Sequence, residues 1–362
     1  MDPTLKILTI IGARPQFIKA APLSKAFAET EGVSEVIVHT GQHFDANMSS
    51  IFFDELGIPD PAHHLGIGGG THGQNTGRMI EALEQAIVAE RPDWVLVYGD
   101  TDSTLAGAIA AVKLHVPIAH VEAGLRSFNL RMPEEINRKL TDHASTALLT
   151  PSLRAVDNLA AEGIADPARV HNVGDVMYDA TLMFSAIADA RSDALAQHGV
   201  ERGRYILATI HRQENTDDRV RLSAILDALG AAALPVVLPL HPRTRKRIAE
   251  FGLTLPATIV LTDPLGYLDM TRLERDAALI ATDSGGIQKE AFFHRVPCVT
   301  LRDETEWVEL VEMGWNRLAR PGHDDLAQVF VTIPSPGRVD DQPYGDGNAA
   351  GKIVDVLKGF GG

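Results

Sequence analysis

Short apolar runs that alternate with longer, helix-forming stretches constrain the fold of this chain more than any other feature. The runs are rich in valine, isoleucine and leucine and predict strands at 6–12, 35–40, 94–98, 117–121, 146–150, 169–173, 205–210, 235–240, 258–262, 278–282 and 297–301. The stretches between them predict helices at 16–29, 74–90, 103–114, 134–144, 216–230, 285–294 and 305–313. Strands that alternate with helices form parallel sheets covered on both faces, so the chain is predicted to be an α/β protein.

The length of the chain favours two domains, because 362 residues exceed what one hydrophobic core usually organises. A helix-like segment and a polar, glycine-bounded turn at 176–203 separate the two series of strands. We therefore expect a Rossmann-like domain over 1–175 and a second one over 176–347, followed by a short amphipathic helix over 348–362.

Composition narrows the class of protein and of partner. Lys6 interrupts the first apolar run, and no window reaches the ~20 apolar residues of a membrane span, so we expect neither a signal peptide nor a membrane partner. Cys298 is the single cysteine, which excludes an internal disulfide and fits a reducing cytoplasm. The net charge of −15 disfavours a nucleic-acid partner. Arginines nevertheless cluster beside His211 and His241, which indicates a small anionic ligand.

Polar and charged residues follow the apolar runs at the points where the strands should end. In open α/β sheets the ligand binds beyond the carboxyl ends of the strands, so these residues are the candidates for a functional site. The first series contributes "GARPQFIK", "YGDTDST" and "HVEAGLR", with Arg14, Lys19, Asp100, Asp102, Glu122 and Arg126. The second contributes "ATIHRQEN", "LPLHPRTR" and "ATDSGGIQKE", with His211, Arg212, His241, Arg243, Ser284, Gly285, Gly286 and Glu290.

The stretch "DSGGIQKE" is typical of a phosphate site. A Ser-Gly-Gly turn that opens a helix offers backbone N–H groups and the positive end of the helix dipole to an anion, and glycine allows close approach. Glu290, further along that helix, is placed to accept ribose hydroxyls. The alternative is an ordinary helix N-cap made by Asp283 or Ser284. Together with Arg14, Arg212 and His241, the nucleotide-diphosphate interpretation is favoured.

Two other patterns suggest cofactors that we do not expect. "GDTDST" contains an Asp-x-Asp pair, as in some metal–diphosphate sites. The alternative is that Thr101 or Asp102 caps the helix that begins near Ser103, and for Asp102 we prefer this role, which leaves Asp100 as a catalytic candidate. "GIGGG" at 66–70 lacks the G-x-G-x-x-G spacing of a dinucleotide site, which disfavours a nicotinamide cofactor. The surrounding glycine-rich stretch, 63–73, is interpreted as a mobile loop, and no residue set has convincing metal-ligand spacing.

Taken together, these motifs resemble the non-hydrolysing UDP-N-acetylglucosamine 2-epimerase family. The matching stretches run in family order through nearly the whole chain: "GARPQFIKAAPL", "HTGQH", "VYGDTDSTLAGAIAA", "HVEAGLRS", "PEEINRKLTDHAS", "NVGDVMYDA", "ATIHRQENTD", "LPLHPRTR" and "TDSGGIQKEAFFHRVPCVTLRDETE". The resemblance implies a GT-B fold, two Rossmann-like domains with a central cleft, whose last helix packs back on the first domain. It also implies a cytoplasmic, commonly homodimeric isomerase without cofactor that supplies nucleotide sugars for surface polysaccharides.

The family reaction inverts C2 of a UDP-sugar by expelling UDP from C1 while the C2 proton is removed, which leaves a bound glycal to which UDP re-adds. The resemblance assigns the acid/base chemistry to Asp100, Glu122 and Glu134, with His211 close by. Binding of the UDP-sugar is assigned to Arg14, Lys19, Arg212, His241, Arg243, Ser284, Gly285, Gly286, Glu290 and Arg302.

Structural roles remain open for several of these residues. Glu134 could be a capping acid of the helix that begins at "PEEINRKL", although Glu135 fits that role better. Lys19 could be a simple helix-surface lysine, and His211 and His241 could be hydrogen-bonded strand-end histidines.

The sequence departs from many family members in ways that bear on the substrate. Asp45 stands where a second, allosteric substrate site uses glutamine, and "GIGGGTHGQNTG" replaces an Arg-Gln pair, so we expect that site to be weak or absent. The loop between Glu122 and Glu134 is shorter and contains an additional base, Arg131, and Trp307 stands where Arg-Pro is common.

These departures resemble the branch that acts on UDP-2,3-diacetamido-2,3-dideoxyglucuronate, whose sugar carboxylate would pair with Arg126 or Arg131. UDP-N-acetylglucosamine is the family default, and both substrates remain open. A GT-B glycosyltransferase and a UDP-sugar-binding regulator are the competing classes. The several strand-end acids count against both, since a transferase usually needs one base and a regulator needs none.

Overall fold

The computed structural model describes residues 5–42, 57–338 and 342–360, and the chain divides into two compact units. Unit 1 contains Met1–Ala180 and Gln342–Gly362, and unit 2 contains Thr181–Asp341. We expected the first domain to end at 175, and the division lies within a helix a few residues later. No helix in the described ranges is both long and apolar enough to cross a membrane.

Unit 1 is built on a seven-stranded sheet in which every pairing is parallel. Its strands are β1 (Leu5–Ile11), β2 (Val33–His39), β3 (His63–His64), β4 (Trp94–Tyr98), β5 (Ile118–Val121), β6 (Ala147–Thr150) and β7 (Val170–Asn172). The helices are α1 (Arg14–Glu29), α2 (His72–Glu90), α3 (Asp102–Lys113), α4 (Pro133–Ala144), α5 (Leu153–Ala161) and α6 (Val176–Arg191), and α6 contains the boundary between the units. The central strands are buried and largely apolar because helices cover both faces of the sheet, and the buried polar exceptions include Thr9 in β1 and His120 in β5.

Unit 2 repeats this plan with a six-stranded parallel sheet. Its strands are β8 (Ile206–Thr209), β9 (Val236–Pro239), β10 (Ile259–Thr262), β11 (Leu279–Thr282), β12 (Cys298–Thr300) and β13 (Asn316–Leu318). Its helices are α7 (Ala194–Gln197), α8 (Gln213–Thr216), α9 (Arg219–Gly230), α10 (Pro242–Glu250), α11 (Tyr267–Asp276), α12 (Gly285–Phe293), α13 (Val308–Glu312) and α14 (Leu326–Val331). The closing helix α15 (Ala349–Gly359) belongs to unit 1.

Every predicted strand is present, and the errors lie in short or polar elements. We did not predict β3 and β13, because neither contains a run of apolar residues: they consist of only "HH" and "NRL". Helices α5, α10, α11 and α14 were also missed. The helix predicted over 216–230 begins at Arg219, after the short α8, because the Asp218 side chain accepts the backbone N–H groups of Val220 and Arg221 and caps α9.

The order of the strands reverses once in each sheet. In unit 1 the order is β3-β2-β1-β4-β5-β6-β7, and in unit 2 it is β10-β9-β8-β11-β12-β13. The chain therefore leaves β1 and β4, and likewise β8 and β11, in opposite directions along the sheet. A crevice forms at such a switch point beyond the carboxyl ends of the two strands, which is where α/β proteins bind their ligands.

The glycine-rich loop before α2, which the sequence led us to interpret as a mobile loop, packs closely against the turn after β2. A Cβ on Gly68 would lie 2.6 Å from the carbonyl oxygen of Gly41, and one on Gly41, whose φ is +89°, would lie 2.7 Å from the nitrogen of Ile67. The Ile67 N–H also donates to the Thr40 carbonyl at 2.8 Å. These glycines allow two backbone segments to approach each other.

Helix α15 is attached to unit 1 by a buried carboxylate. Its apolar face consists of Ala349, Ala350, Ile353, Val354 and Leu357, which recur at helical spacing, and the helix packs against α1. Asp179 accepts the N–H of Ala349 at 3.1 Å and of Ala350 at 2.9 Å. Because these are the first N–H groups of the helix, Asp179 satisfies donors that have no partner within α15.

Replacing Asp179 with alanine should loosen α15, because it leaves two buried N–H groups without an acceptor. We expect the local free energy of opening to fall by about 2 kcal/mol, which is roughly 30-fold faster hydrogen exchange in 349–359. Hydrogen–deuterium exchange with mass spectrometry measures this directly. Asp346→Ala is the control, since Asp346 makes an exposed ion pair with Lys352 in the same helix and should matter less. Equal protection of α15 in both variants would contradict the role of Asp179.

Candidate functional site

Asp100 follows β4 at the switch point of unit 1 and is held from two sides by α4. Its Oδ2 lies 2.5 Å from Nη2 of Arg138, whose side chain is largely buried. Its carbonyl accepts the Nδ2–H of Asn137 at 2.9 Å. Burial disfavours the charge on Arg138, but the carboxylates of Asp100 and Glu135 outweigh it and raise the pKa of the guanidinium. Asp100 therefore lies beside a permanent cation.

Glu122 follows β5 and forms an ion pair with Lys19 of α1. The backbone of Glu122 has a φ of +70°, a left-handed conformation that a non-glycine residue adopts only when its surroundings require it. A Cβ on Gly99 would lie 3.4 Å from Oε2 of Glu122 and 3.5 Å from Nζ of Lys19. The pair thus lies against the residue that precedes Asp100. Lys19 is mostly buried in this pair, which argues against a simple surface position.

Glu134 and Glu135 are neighbours in the first turn of α4 but have different environments. Glu134 is exposed and lies one turn before Arg138, so both belong to the same face of the helix. Glu135 is fully buried and accepts the N–H groups of Ser127 at 2.8 Å and Phe128 at 3.2 Å. Burial opposes its charge, but the bonds from Ser127 and Arg138 lower its pKa. The capping role preferred for Glu135 is wrong, because its carboxylate holds the loop that precedes the helix.

The two loop arginines are also distinct. The Arg126 side chain has no exposed surface, with Nη1 2.7 Å from Oδ2 of Asp142 and Nη2 2.8 Å from Oε2 of Glu162. This leaves it no group to offer to a substrate, and it stabilises the fold instead of binding the sugar as we expected. Arg131 is exposed, and its backbone N–H donates to Oδ1 of Asn129 at 3.1 Å. Of the two, Arg131 keeps its guanidinium at the surface.

The helix that follows Asp100 is capped by Thr101, one of the two residues predicted to cap it, so the N-cap role preferred for Asp102 is wrong. The Thr101 hydroxyl accepts the N–H of Thr104. Asp102 is the first residue of α3 and is largely buried, with Oδ2 2.9 Å from Nδ1 of His72 and Oδ1 accepting the Nδ2–H of Asn137 at 3.3 Å. Asp102 therefore connects α2, α3 and α4 rather than capping α3.

Gln16 is a site residue that the sequence did not reveal. Arg14 begins α1 directly after β1, and the buried Gln16 side chain supports that turn. Its Oε1 accepts the N–H groups of Gly12 at 2.8 Å and Ala13 at 3.0 Å, while its Nε2–H donates to the carbonyl of Tyr98 at 3.0 Å. Gln16 thereby joins the ends of β1 and β4. A glutamine directly after the Arg-Pro of "GARPQ" was the available signal.

In unit 2 the Ser-Gly-Gly turn opens α12 next to the end of β11. Ser284 caps the helix, because its hydroxyl accepts the N–H of Ile287. A cap made by Asp283 or Ser284 was the predicted alternative to a phosphate site. Trp307 donates its indole N–H to the Gly285 carbonyl at 2.8 Å, and a Cβ on Gly285 would lie 2.4 Å from Oε1 of Glu306. The first N–H groups of a helix have no partner within it, so this turn is suited to a phosphate.

His211 is oriented by Asp283, a residue for which we predicted only a capping role. Asp283 is fully buried and accepts the N–H groups of His211 at 3.1 Å and Arg212 at 3.0 Å. Its Oδ1 also lies 3.1 Å from Nδ1 of His211. Burial opposes the charge on Asp283, but His211 lowers its pKa. An ionised Asp283 fixes the imidazole, whose side chain remains 44% exposed.

His241 caps α10 through its ring. Nδ1 accepts the N–H of Arg243 at 3.2 Å, and the His241 and His211 ring centroids are 6.5 Å apart. Burial lowers the pKa of His241, and the nearby His211 and Arg243 lower it further. At neutral pH His241 is therefore a neutral ring that can donate a hydrogen bond through Nε2.

The other predicted ligand contacts of unit 2 lie around the same strand ends. Glu290 is buried in α12, with the Tyr267 hydroxyl 3.4 Å from its Oε1. Arg243 pairs with Asp217 at 2.6 Å, and Arg302 pairs with Glu306 at 2.7 Å. Arg212 is partly exposed directly after His211. The Arg243–Asp217 pair is partly exposed and can rearrange around an anion, whereas the Arg302 side chain is mostly buried.

Comparison with known proteins identifies the family. The model of the family described as UDP-N-acetylglucosamine 2-epimerase matches residues 25–358. The chain is 56% identical over 358 residues to the UDP-2,3-diacetamido-2,3-dideoxy-D-glucuronate 2-epimerase of Pseudomonas aeruginosa, covering 98% of this chain and 99% of that one. It is 42% identical to the UDP-N-acetylglucosamine 2-epimerase of Methanocaldococcus jannaschii over 363 residues, at 98% and 99% coverage.

A crystal structure of the Methanocaldococcus jannaschii enzyme with UDP-GlcNAc and UDP has a TM-score of 0.84 to this chain, at 40% identity and 98% and 99% coverage. The predicted fold class, two parallel α/β domains of the GT-B type, is confirmed by this neighbour and by the two sheets described above. The chain belongs to the UDP-N-acetylglucosamine 2-epimerase family of UDP-sugar isomerases.

Proposed function

We propose that this chain is a non-hydrolysing 2-epimerase whose substrate is UDP-2,3-diacetamido-2,3-dideoxy-D-glucuronate. The observation that carries the choice of sugar is the 56% identity to the Pseudomonas aeruginosa enzyme named for that substrate, against 42% to the Methanocaldococcus jannaschii enzyme named for UDP-N-acetylglucosamine. The exposed Arg131 supports it, because a uronate carboxylate needs a cation that is not already paired inside the protein.

We assign the acid/base chemistry to the carboxylates of unit 1. Inversion at C2 requires a proton to leave from one face of the sugar and return to the other, which one side chain cannot easily serve. Asp100 and Glu122 end neighbouring strands, and Glu134 projects from the same helix face as Arg138, the partner of Asp100. Lys19 places a cation beside Glu122, and Arg138 places one beside Asp100.

We assign the stabilisation of the leaving UDP to unit 2, with Arg14 of unit 1 as an additional cation. Expulsion of UDP from C1 places negative charge on the diphosphate, and preorganised donors lower the barrier for that step. The Ser284-Gly285-Gly286 turn offers N–H groups, His211 is held by Asp283, and His241 is a neutral donor. Glu290 is assigned to the ribose hydroxyls, and Arg212, Arg243 and Arg302 to the surrounding anionic groups.

The cellular location, oligomeric state and biosynthetic role that we propose are those of the family. We propose a cytoplasmic homodimer that supplies nucleotide sugars for surface polysaccharides, in keeping with the single cysteine, Cys298. We also propose that no second, activating substrate site operates, because Asp45 replaces the expected glutamine; Asp45 lies outside the described residues. The first domain, 1–175 with 348–362, is proposed as the acid/base half and 176–347 as the UDP-binding half.

UDP-N-acetylglucosamine is the second candidate substrate. The specific observation in its favour is the neighbouring structure solved with UDP-GlcNAc and UDP, which covers 98% of this chain. Both sugars would react by the same route at C2. They differ from each other in the group at C6 and in the substituent at C3.

Incubation with each UDP-sugar in deuterated water tests the reaction and the substrate together. We expect deuterium at C2 and formation of the 2-epimer without release of free sugar, with the diacetamido uronate turned over faster. Proton NMR follows the loss of the C2 signal, and boiled enzyme is the control. Absence of exchange with both sugars would refute the epimerase assignment. Free sugar released at the turnover rate would indicate hydrolysis instead.

Glu134→Gln should reduce C2 exchange by about 100-fold or more, because the amide cannot transfer the proton. UDP binding measured by calorimetry should remain close to that of the wild-type protein, since the UDP contacts are assigned elsewhere. Glu81→Gln is the matched control, because Glu81 is an exposed glutamate on α2 of the same unit. Wild-type exchange in Glu134→Gln would remove Glu134 from the mechanism.

A further inference from the structure

His120 and Asp142 form an ion pair inside unit 1 that the assigned chemistry does not use. His120 lies within β5 and Asp142 near the end of α4, and the side chains of both have no exposed surface. The His120 Nδ1–H donates to Oδ1 of Asp142 at 2.7 Å. An ionisable pair buried this deeply is costly unless every charge and every polar atom is satisfied, so its environment indicates what it does.

The pair contacts the backbone beside both strand-end acids. The His120 Nε2–H donates to the carbonyl of Gly99 at 2.8 Å, and Gly99 directly precedes Asp100. Oδ2 of Asp142 accepts the N–H of Gly124 at 3.2 Å, two residues after Glu122. One pair of side chains therefore connects the turn after β4 with the turn after β5.

The contacts of Asp142 indicate that its carboxylate is ionised. It accepts the N–H of Gly124 and lies 2.7 Å from Nη1 of Arg126. Burial alone would raise the pKa of Asp142, but His120 and Arg126 lower it below its usual value. Both nitrogens of His120 face acceptors, Oδ1 of Asp142 and the carbonyl of Gly99. Arg126 and Glu162 complete this buried cluster.

The turn after β5 needs such a support. Glu122 has a φ of +70° and Gly124 a φ of +80°, and a Cβ on Gly124 would lie 2.4 Å from the carbonyl oxygen of Ala155. Two N–H bonds to the Leu149 carbonyl, from Glu122 at 3.0 Å and Ala123 at 3.2 Å, hold one side of the turn, and Asp142 holds the other. An unfavourable backbone conformation persists only when surrounding contacts impose it.

We propose that His120 and Asp142 are positioning residues that set the separation and direction of Asp100 and Glu122 on the sugar. This rests on the proposed function, in which those two acids exchange the C2 proton. A shift of about 1 Å in reacting groups can cost on the order of 100-fold in rate without weakening substrate binding. The pair therefore acts on kcat, through the backbone of the two turns.

Asp142→Asn is the test, because it keeps the size of the side chain but replaces one carboxylate oxygen with an NH₂ group, so the side chain can no longer accept from both His120 and Gly124. We expect kcat for C2 exchange to fall by about 10- to 100-fold, with KM and the Kd for UDP within about twofold. Asp179→Asn is the matched control, since Asp179 is another buried aspartate of unit 1 that accepts two backbone N–H groups. Its kcat per folded enzyme should equal that of the wild-type protein.

Wild-type kcat in Asp142→Asn would overturn the proposal, and so would an equal loss of kcat in both variants. A neutron structure of the wild-type protein gives a second test that does not depend on the variant folding. It should show hydrogen or deuterium on both ring nitrogens of His120, and a ring with one proton would overturn the proposal. If the wild-type protein exchanges no C2 proton with either UDP-sugar, the proposed function fails, whatever the protonation of His120.

Discussion

Each unit fixes its functional turn with a buried aspartate that pairs with a histidine. In unit 1 Asp142 accepts from His120 and from the backbone after β5, and in unit 2 Asp283 accepts from His211 and from the backbone after β8. A buried carboxylate is stable only when fully hydrogen-bonded, so its partners cannot move independently. The positions of Glu122 and His211 follow from these two carboxylates.

The two histidines differ in how far their rings are exposed, and this separates their roles. Both nitrogens of His120 are used inside the protein, so it can only position other groups. Only Nδ1 of His211 faces Asp283, and the ring remains 44% exposed, which leaves the other nitrogen for a ligand. A carboxylate–histidine pair is thus enclosed in unit 1 and partly exposed in unit 2.

The strands and the candidate acids could be predicted because their signals are local. An apolar run followed by Asp100, Glu122 or His211 is visible in the sequence, and parallel topology brings such residues to one edge. The pairing of Arg126 with Glu162 could not be predicted, since the partners are 36 residues apart and meet only when α5 packs beside the loop. Gln16 bonds Tyr98, 82 residues away, which was hidden for the same reason. The partners of Glu135 are near in sequence, but its bonds to the backbone of Ser127 and Phe128 depend on how the loop folds. The spacing of residues along the sequence does not show which backbone N–H groups will donate hydrogen bonds to a buried side chain.

The central claim is that this chain breaks and re-forms the bond between C1 of the sugar and UDP. A UDP-sugar labelled with ¹⁸O in the oxygen that joins C1 to the β-phosphate tests it most directly. If UDP leaves and returns, the label should scramble into the other β-phosphate oxygens while the substrate epimerises, as ³¹P NMR would show. Epimerisation with the label still in the bridging position would contradict the account.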